Sequence, residues 1–466
     1  MDIILTVSGQ AWGGEQRYLL DVAGGLAVSG HAVTVLAEEG GAMLEACRQA
    51  GLPVVGLPPC ADQPQQAVTA AVHVLEAGDA HVVCTTGRSD AQVVRQALAR
   101  IKGKQAFALF SPSVHPLGTA DEVRDLMADV HLVFAMSDEQ RERQFAPLIA
   151  AGLLADDQVE LVTNAVGDDF LHALGTADRK VARAALGLSD NCFAFLALGR
   201  LTWDGDVGQV IDAVGAMDAS RRASVRVVVA GHGPMAEELR AHAEEQGVGH
   251  LISFPGHRAD VAELIVACDA AVLTTTVPET GPLALKEAMA AGLPVLASAQ
   301  GGIPEFVEDE RHGLLVVDEV DLREAMEQLV AEPAAAAAMG NAARESILAG
   351  HRVAQRVEYL VHRFDLLALA RLPLGPVLSE LAWQNVRLRA EAAGGFVFVP
   401  RTSQLMELDA EAFTVVRAAV TARDPLLLLD AENRVPRRLM TDLYAMGALV
   451  RPSTLSEDTS GPAVLA

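Results

Sequence analysis

The chain predicts an α/β protein of two successive Rossmann-like units facing a cleft, followed by a small α+β, winged-helix-like unit. Three observations carry that expectation. Short β-branched apolar runs alternate with longer Ala-, Leu- and Glu-rich helical runs, the pattern of parallel strands buried on both faces. The alternation runs once to about residue 162 and begins again near Phe193. After Pro373 it gives way to short, closely spaced strands.

Taken in order, the first unit, residues 1–172, is expected to hold strands at 3–7, 32–36, 54–57, 80–85, 107–111, 131–136 and 159–162. Helical runs such as GEQRYLLDVAGGLAVSG and SDAQVVRQALARI fill the gaps. VTNAVGDDF with residues 173–180 reads as an interdomain linker. The second unit, residues 173–350, carries strands in FLALG, VRVVVAG, ISFPG, AAVLTTT, PVLAS and GLLVV. EPAAAAAMGNAA reads as an Ala-rich connector of a helix pair rather than a disordered tract, because Ala favours helix. Residues 351–372 read as one long amphipathic helix packing back on the first unit. In the last unit, residues 382–452, VRLRAEAAGGFVFVPRTSQLMELDAEAFTVV gives three short strands and a helix, and RLMTDLYAMGALVRP a helix, a Gly and a strand. Residues 453–466 read as a mobile tail.

Composition narrows the function. With 61 acidic against 36 basic residues the formal charge is −25, which argues against a nucleic-acid partner, since phosphate-backbone binding needs a positive footprint. The five cysteines are scattered and lack CxxC spacing, which fits a reducing compartment and buried thiols better than disulfides or zinc. MDIILTV is too short for a signal peptide or a membrane span. The expectation is a cytoplasmic protein.

The stretch PETGPLALKEAMAAGLPVLASAQGGIPE carries most of the functional signal. Glu279 lies in a loop after an apolar strand, and Glu287 one or two turns into the following helix. That arrangement brings both carboxylates to the carboxyl edge of a parallel sheet, where open α/β sheets bind ligands. Ionised carboxylates only accept hydrogen bonds, so the pair suits a polyhydroxylated ligand.

Residues 1–365 or so resemble family-4 glycosyltransferases of the GT-B fold. The stretches that carry this, in order, are WGGEQRYLLDVAGGLAVSGHAVTVLA, FAMSDEQRERQF, VTNAVGDDF, LALGRLTWDGDVGQVIDAV, VVVAGHGPMAEELRAHAEEQGVGHLISFPGHRADVAELIVACDAAVLTTT and the Glu279 segment. The resemblance implies glycosyl transfer with retention from a UDP- or GDP-linked sugar, without a metal. It implies that Gly13 and Gly14 bring backbone N–H groups to the diphosphate or donor sugar, where the alternative is an ordinary strand–helix turn. Arg200 would neutralise the leaving diphosphate; its alternative is a surface ion pair with Asp204 or Asp206. Glu287 would accept from the ribose hydroxyls and Glu279 from the transferred sugar. Gly281, Pro282 and Leu283 would lead into an anion-binding helix N-terminus, with Pro282 in the first helical turn. Residues 254–258 would shape the base pocket, with Arg258 either stacking on the base or solvated in its loop.

The chain departs from the family at two places. Family members usually carry a Lys in a Lys-Gly pair five residues after the Arg; Gly205 stands there, followed by Asp206. The acceptor-side His expected after the strand at 107–111 is late, at His115 in FSPSVHPLG. It is open between a cleft residue and a loop histidine before Pro116. His232, in GHGP, reads as a structural turn residue.

Residues 385–451 resemble PqqD-like domains, the recognition elements of ribosomally made, modified peptides. Leu408, Asp409, Ala412, Leu443, Gly447 and Leu449 match that outline. The resemblance implies a leader peptide added as a strand in a groove between residues 403–408 and 437–446, so that a precursor peptide is delivered in cis. The alternatives are a packing or dimerising appendage on a small-molecule or lipid glycosyltransferase, and a catalytically silent GT-B scaffold, which Gly205 favours.

Overall fold

The computed structural model describes residues 1–111, 117–118, 120–203, 205–372, 377–391, 393–431, 437–452 and 464–465. The first lobe is a parallel sheet of β1 (Asp2–Val7), β2 (Ala32–Glu38), β3 (Val54–Leu57), β4 (Val82–Thr85), β5 (Ala106–Ser111), β6 (Leu132–Ala135) and β7 (Val159–Leu161), in the order β3-β2-β1-β4-β5-β6-β7. Every residue of β4, β5 and β6 is buried, so both faces are covered and the continuous apolar runs follow from that. The second lobe holds β8 (Phe193–Leu198), β9 (Val225–Ala230), β10 (Ile252–Gly256), β11 (Ala270–Leu273), β12 (Val295–Ser298) and β13 (Gly313–Val316), in the order β10-β9-β8-β11-β12-β13. Strand order reverses beside β1 in one sheet and beside β8 in the other. Those switch points open a crevice at the carboxyl ends. The loops after β1, β8 and β11 therefore carry Gly13, Arg200 and Glu279 into it.

The lobes are joined twice. The expected linker holds a helix, Asp168–Thr176, because its first turn is acidic and Phe170 has a core to enter. Beside it the returning chain runs parallel: Val166 N donates to His351 O at 2.9 Å and Val353 N to Val166 O at 3.0 Å. EPAAAAAMGNAA lies within one helix, Pro333–Gly350, with Pro in the first turn. The helix Val353–Arg371 crosses back and packs on the helix Gly14–Val28. Gly25 sets their approach, since a Cβ there would lie 2.7 Å from Val357 Cγ2.

The C-terminal unit is an antiparallel meander: β15 (Arg387–Glu391), β16 (Gly394–Val399) and β17 (Gln404–Asp409). It is flanked by β14 (Ala382–Trp383), which pairs with β18 (Leu449–Val450). β17 starts one residue later than expected, because Ser403 turns into the left-handed region at φ 56°. Asp409 caps the next helix, Ala410–Ala422, accepting from Ala412 N at 2.8 Å. The helix Arg437–Ala445 ends one residue before the expected 446. β17 lies at one edge of the sheet among the described residues, and β19 (Val464–Leu465) lines the other. The rest of the expected tail lies outside the described residues.

This unit is fixed to the first lobe through the helix Val353–Arg371. Asp365, wholly buried there, accepts from Arg451 Nε at 2.8 Å and from Tyr444 Oη at 2.5 Å. Arg451 also reaches Glu380 at 2.5 Å. Arg437 donates to Leu369 O and Leu372 O at 2.6 and 2.7 Å, satisfying carbonyls at the end of that helix.

Candidate active site

Two helix N-termini meet across the crevice. The helix Gly14–Val28 begins after Gly13 in the first lobe, and Leu283–Ala290 begins after Pro282 in the second. Pro282 is thus the cap residue, one position before the expected first turn. A Cβ on Gly14 would lie 3.3 Å from Leu283 Cβ, so the two positive helix ends face one point. Around that point lies a cavity of about 860 Å³ lined by Gly13, Gly14, Arg200, Glu279, Gly281 and Glu287, among others. Arg258, Pro282 and Leu283 line it too. Gly13, Gly14, Arg200, Arg258, Glu279, Gly281, Pro282, Leu283 and Glu287 therefore share one cavity, whereas residues 254–256 do not line it and His115 lies outside the described residues.

Arg200 projects from the carboxyl end of β8 and is exposed to this cavity. No ion pair or hydrogen bond holds its guanidinium among the described residues. Asp204 lies outside them, and Asp206 accepts instead from Gln209 Nε2 at 2.7 Å. Arg258 takes neither expected role alone: it lines the cavity while its fork grips Asp260, with Nε donating at 2.7 Å and the second nitrogen also in contact. Phe254 corrects the reading of the base pocket. It does not line the cavity and lies instead under Arg240, 5.2 Å from ring centroid to guanidinium carbon. His232 also departs from expectation, lining the cavity beside Arg200.

The Glu279 loop is held from two sides. Gly302 N donates to Glu279 O at 2.6 Å. Gly301, at φ 61°, passes so close that a Cβ would lie 2.4 Å from the same oxygen. The Gly-Gly of AQGGIPE thus positions Glu279, a role its spacing alone does not reveal. On the other side Asn164 Nδ2 donates to Gly281 O at 2.5 Å. Lys286, fully buried over the Phe306 ring, donates to Asn164 O and Oδ1 at 2.9 and 2.8 Å. Burial first, then Arg356, pushes its ammonium down to about 7. Lys286 and Asn164 tie the loop to the interlobe crossing.

Glu287 is buried, and no hydrogen bond reaches its carboxyl from the described residues. Burial above all, with Asp21 adding to it, pushes the carboxyl up to about 7 against the pull of Arg17. Glu15, which the sequence pattern does not single out, behaves alike on the opposite lobe: burial and then Asp90 push it up to about 7, against Thr86 and Arg200. Tyr18, also missed, lines the cavity with a buried hydroxyl that has no partner among the described residues. Its helical spacing marks it only as core.

These shifts make a prediction with a definite sign. Between pH 4.5 and 7 the folded protein holds a proton on Glu287 that the unfolded chain has lost, so ionisation costs stability as pH rises. Buried His31 and His131, whose protonation burial disfavours, act the other way below their ordinary range. The informative quantity is therefore a difference. Wild type is expected to lose melting temperature relative to Glu287→Gln as pH rises from 4.5 to 7, and parallel curves would show that the carboxyl is not shifted.

The geometry meets its relatives at this cavity. Residues 178–346 match the model of a family described as glycosyl transferases group 1. Anabaena HepE, solved with UDP and glucose, superposes with a TM-score of 0.67 at 20% identity, covering 78% of this chain and 99% of that one. A Rickettsia africae glycosyltransferase superposes at 0.68 with 14% identity, covering 78% and 98%. The fold is GT-B. Among curated proteins, the D-inositol 3-phosphate glycosyltransferase of Mycobacterium avium is 32% identical over 273 residues, 53% of this chain and 60% of that protein. The alpha-monoglucosyldiacylglycerol synthase of Streptococcus pneumoniae is 29% identical over 157 residues, 33% and 35% of the two chains. The chain spans three fifths or less of such curated relatives' lengths. In the GT-B frame the cavity is the interlobe cleft. No described helix is long and apolar enough to cross a membrane.

Proposed function

We propose that this protein is a retaining glycosyltransferase that moves a sugar from a UDP- or GDP-linked donor to a ribosomally made precursor peptide held by the C-terminal unit. The observation that carries the reaction is the convergence of two helix N-termini and Arg200, unpaired among the described residues, opposite Glu279 and Glu287. The match to glycosyl transferases group 1 and the UDP in HepE support the donor class.

In this reading the diphosphate lies between the helix ends, Glu287 accepts from the ribose and Glu279 from the transferred sugar. The bond from the anomeric carbon to the phosphate oxygen breaks as one to the acceptor oxygen forms on the same face. The departing phosphate oxygen takes the acceptor's proton. Arg200 and the helix ends stabilise the charge that develops, which is where preorganised donors act most strongly. No metal enters this scheme. The unbridged, buried cysteines suit a reducing, cytoplasmic setting.

The peptide acceptor rests on the edge of β17, at the end of the described strand order, where a strand can add by main-chain hydrogen bonds. A second reading, a small-molecule or lipid acceptor with a structural cap, draws on the acceptors named in the relatives above. Leu405 separates them, being 63% exposed on that edge strand. Leu405→Lys is expected to weaken binding of the precursor peptide encoded nearest the gene by at least about 10-fold, the worth of one apolar anchor, with UDP binding unchanged. Unchanged peptide binding would favour the cap. A silent scaffold would bind neither UDP nor GDP at micromolar concentration.

A further inference from the structure

The position where the resembled family carries Lys is Gly205, yet it lines the cavity beside Arg200. The neighbouring strand ends supply other donors. β8 and β9 pair Leu198 with Ala230, and the ladder continues beyond both strands. Gly199 N donates to Ala230 O at 3.1 Å and Leu201 N to His232 O at 2.9 Å. That pattern sets Arg200 directly beside His232, so both side chains leave the same face of the pleat. The GHG sequence makes this possible. A Cβ on Gly231 would lie 1.8 Å from Gly199 O, and one on Gly233 would lie 2.2 Å from Leu201 O. Only glycines on either side let the loop press against residues 199–201, and His232 is fixed between them.

His257, from the loop after β10, packs edge-on against His232, with ring centroids 5.5 Å apart and planes at 85°. Both rings line the cavity, and neither has a hydrogen-bond partner among the described residues. Arg258, the other cation on this wall, is committed to Asp260. Three donors thus stand at the ends of three adjacent strands, and two of them are imidazoles.

We propose that His232, braced by His257, donates a ring N–H to the donor's diphosphate and takes the place of the absent Lys. The proposal rests on the nucleotide-sugar reading above. Imidazole can serve here because one ring nitrogen always carries a proton to donate, and a fixed donor beside a guanidinium suits a terminal phosphate.

The test is calorimetric titration of UDP, UMP, GDP and GMP into wild type, His232→Ala, His257→Ala and the double variant His232→Ala/Gly205→Lys. With His232→Ala the diphosphate that wild type prefers is expected to bind roughly 10- to 100-fold more weakly, the worth of one charge-assisted hydrogen bond. Its monophosphate should change far less. His257→Ala should show a smaller loss of the same kind, and Gly205→Lys should restore most of the affinity. If wild type binds none of the four nucleotides, the donor reading itself falls and this inference with it. If wild type binds but His232→Ala binds the diphosphate equally well, the inference alone is overturned. Equal losses for mono- and diphosphate, or no recovery in the double variant, also overturn it.

Discussion

Arg200→Ala is expected to lower sugar transfer by about 10²- to 10³-fold, the loss seen when one preorganised donor to developing charge is removed. Its guanidinium is exposed in the cleft, held by no ion pair or hydrogen bond among the described residues though it feels the Glu15 carboxyl, and set where two helix ends point. No described side chain hydrogen-bonds it in the ground state, so its donors remain available for the charge on the leaving diphosphate. The loss should therefore fall on kcat more than on KM. The substitution of Gly205 for a second cation raises the dependence on Arg200. Arg200→Lys should recover only part, because a point charge cannot reproduce a planar fork. Glu279→Gln should abolish transfer comparably while leaving melting temperature near wild type, since Gly302 N holds the loop through the Glu279 carbonyl, which the substitution keeps. Steady-state rates with far-UV dichroism on both variants decide this, and near-wild-type turnover in either would reject the assignment.

Much of this framework was legible because the local signals agree. Each strand of both sheets overlaps an apolar run read from the sequence, with ends agreeing to within three residues, and strands buried on both faces produce such runs. The cleft residues were legible for a related reason: Gly13, Arg200 and Glu279 each follow a strand directly, so the topology alone carries them to one edge. What escaped the reading depends on which loop packs on which. Nothing in GGIPE shows that its glycines clasp Glu279. GHGP reads as a turn until β8 and β9 are seen to prolong their ladder through it. Phe254 lies in an apolar run whichever way it faces, and only Arg240 of the neighbouring helix shows its direction. Glu15 resembles any acidic first-turn residue of a helix, since that pattern also follows from the macrodipole. Its neighbours, Asp90 and Thr86 of its own lobe and Arg200 of the other, come from segments that periodicity does not place beside it.

The same limit applies to the join between the C-terminal unit and the first lobe, where Arg451→Ala is expected to cost about 3–5 kcal/mol. Asp365 is wholly buried, and two of its three described donors are nitrogens of Arg451. Removing the guanidinium strands the carboxylate with Tyr444 alone, and also releases Glu380. A buried pair need not add net stability, but breaking it by one partner leaves a charge that neither water nor protein solvates. The double variant Asp365→Leu/Arg451→Met should therefore regain most of the loss, because it removes both charges and keeps the volume. A single global transition would not show which unit loosens, so the readout is hydrogen exchange. Residues 387–409 and 437–445 should lose protection in Arg451→Ala while β8–β13 keep theirs, and unchanged exchange in the C-terminal unit would show that the ion pair does not hold it. The result also bears on function. If the unit delivers a peptide to the cleft, loosening its anchor should slow transfer to the tethered peptide and leave UDP binding intact; if it is only a cap, both should fall with stability alone.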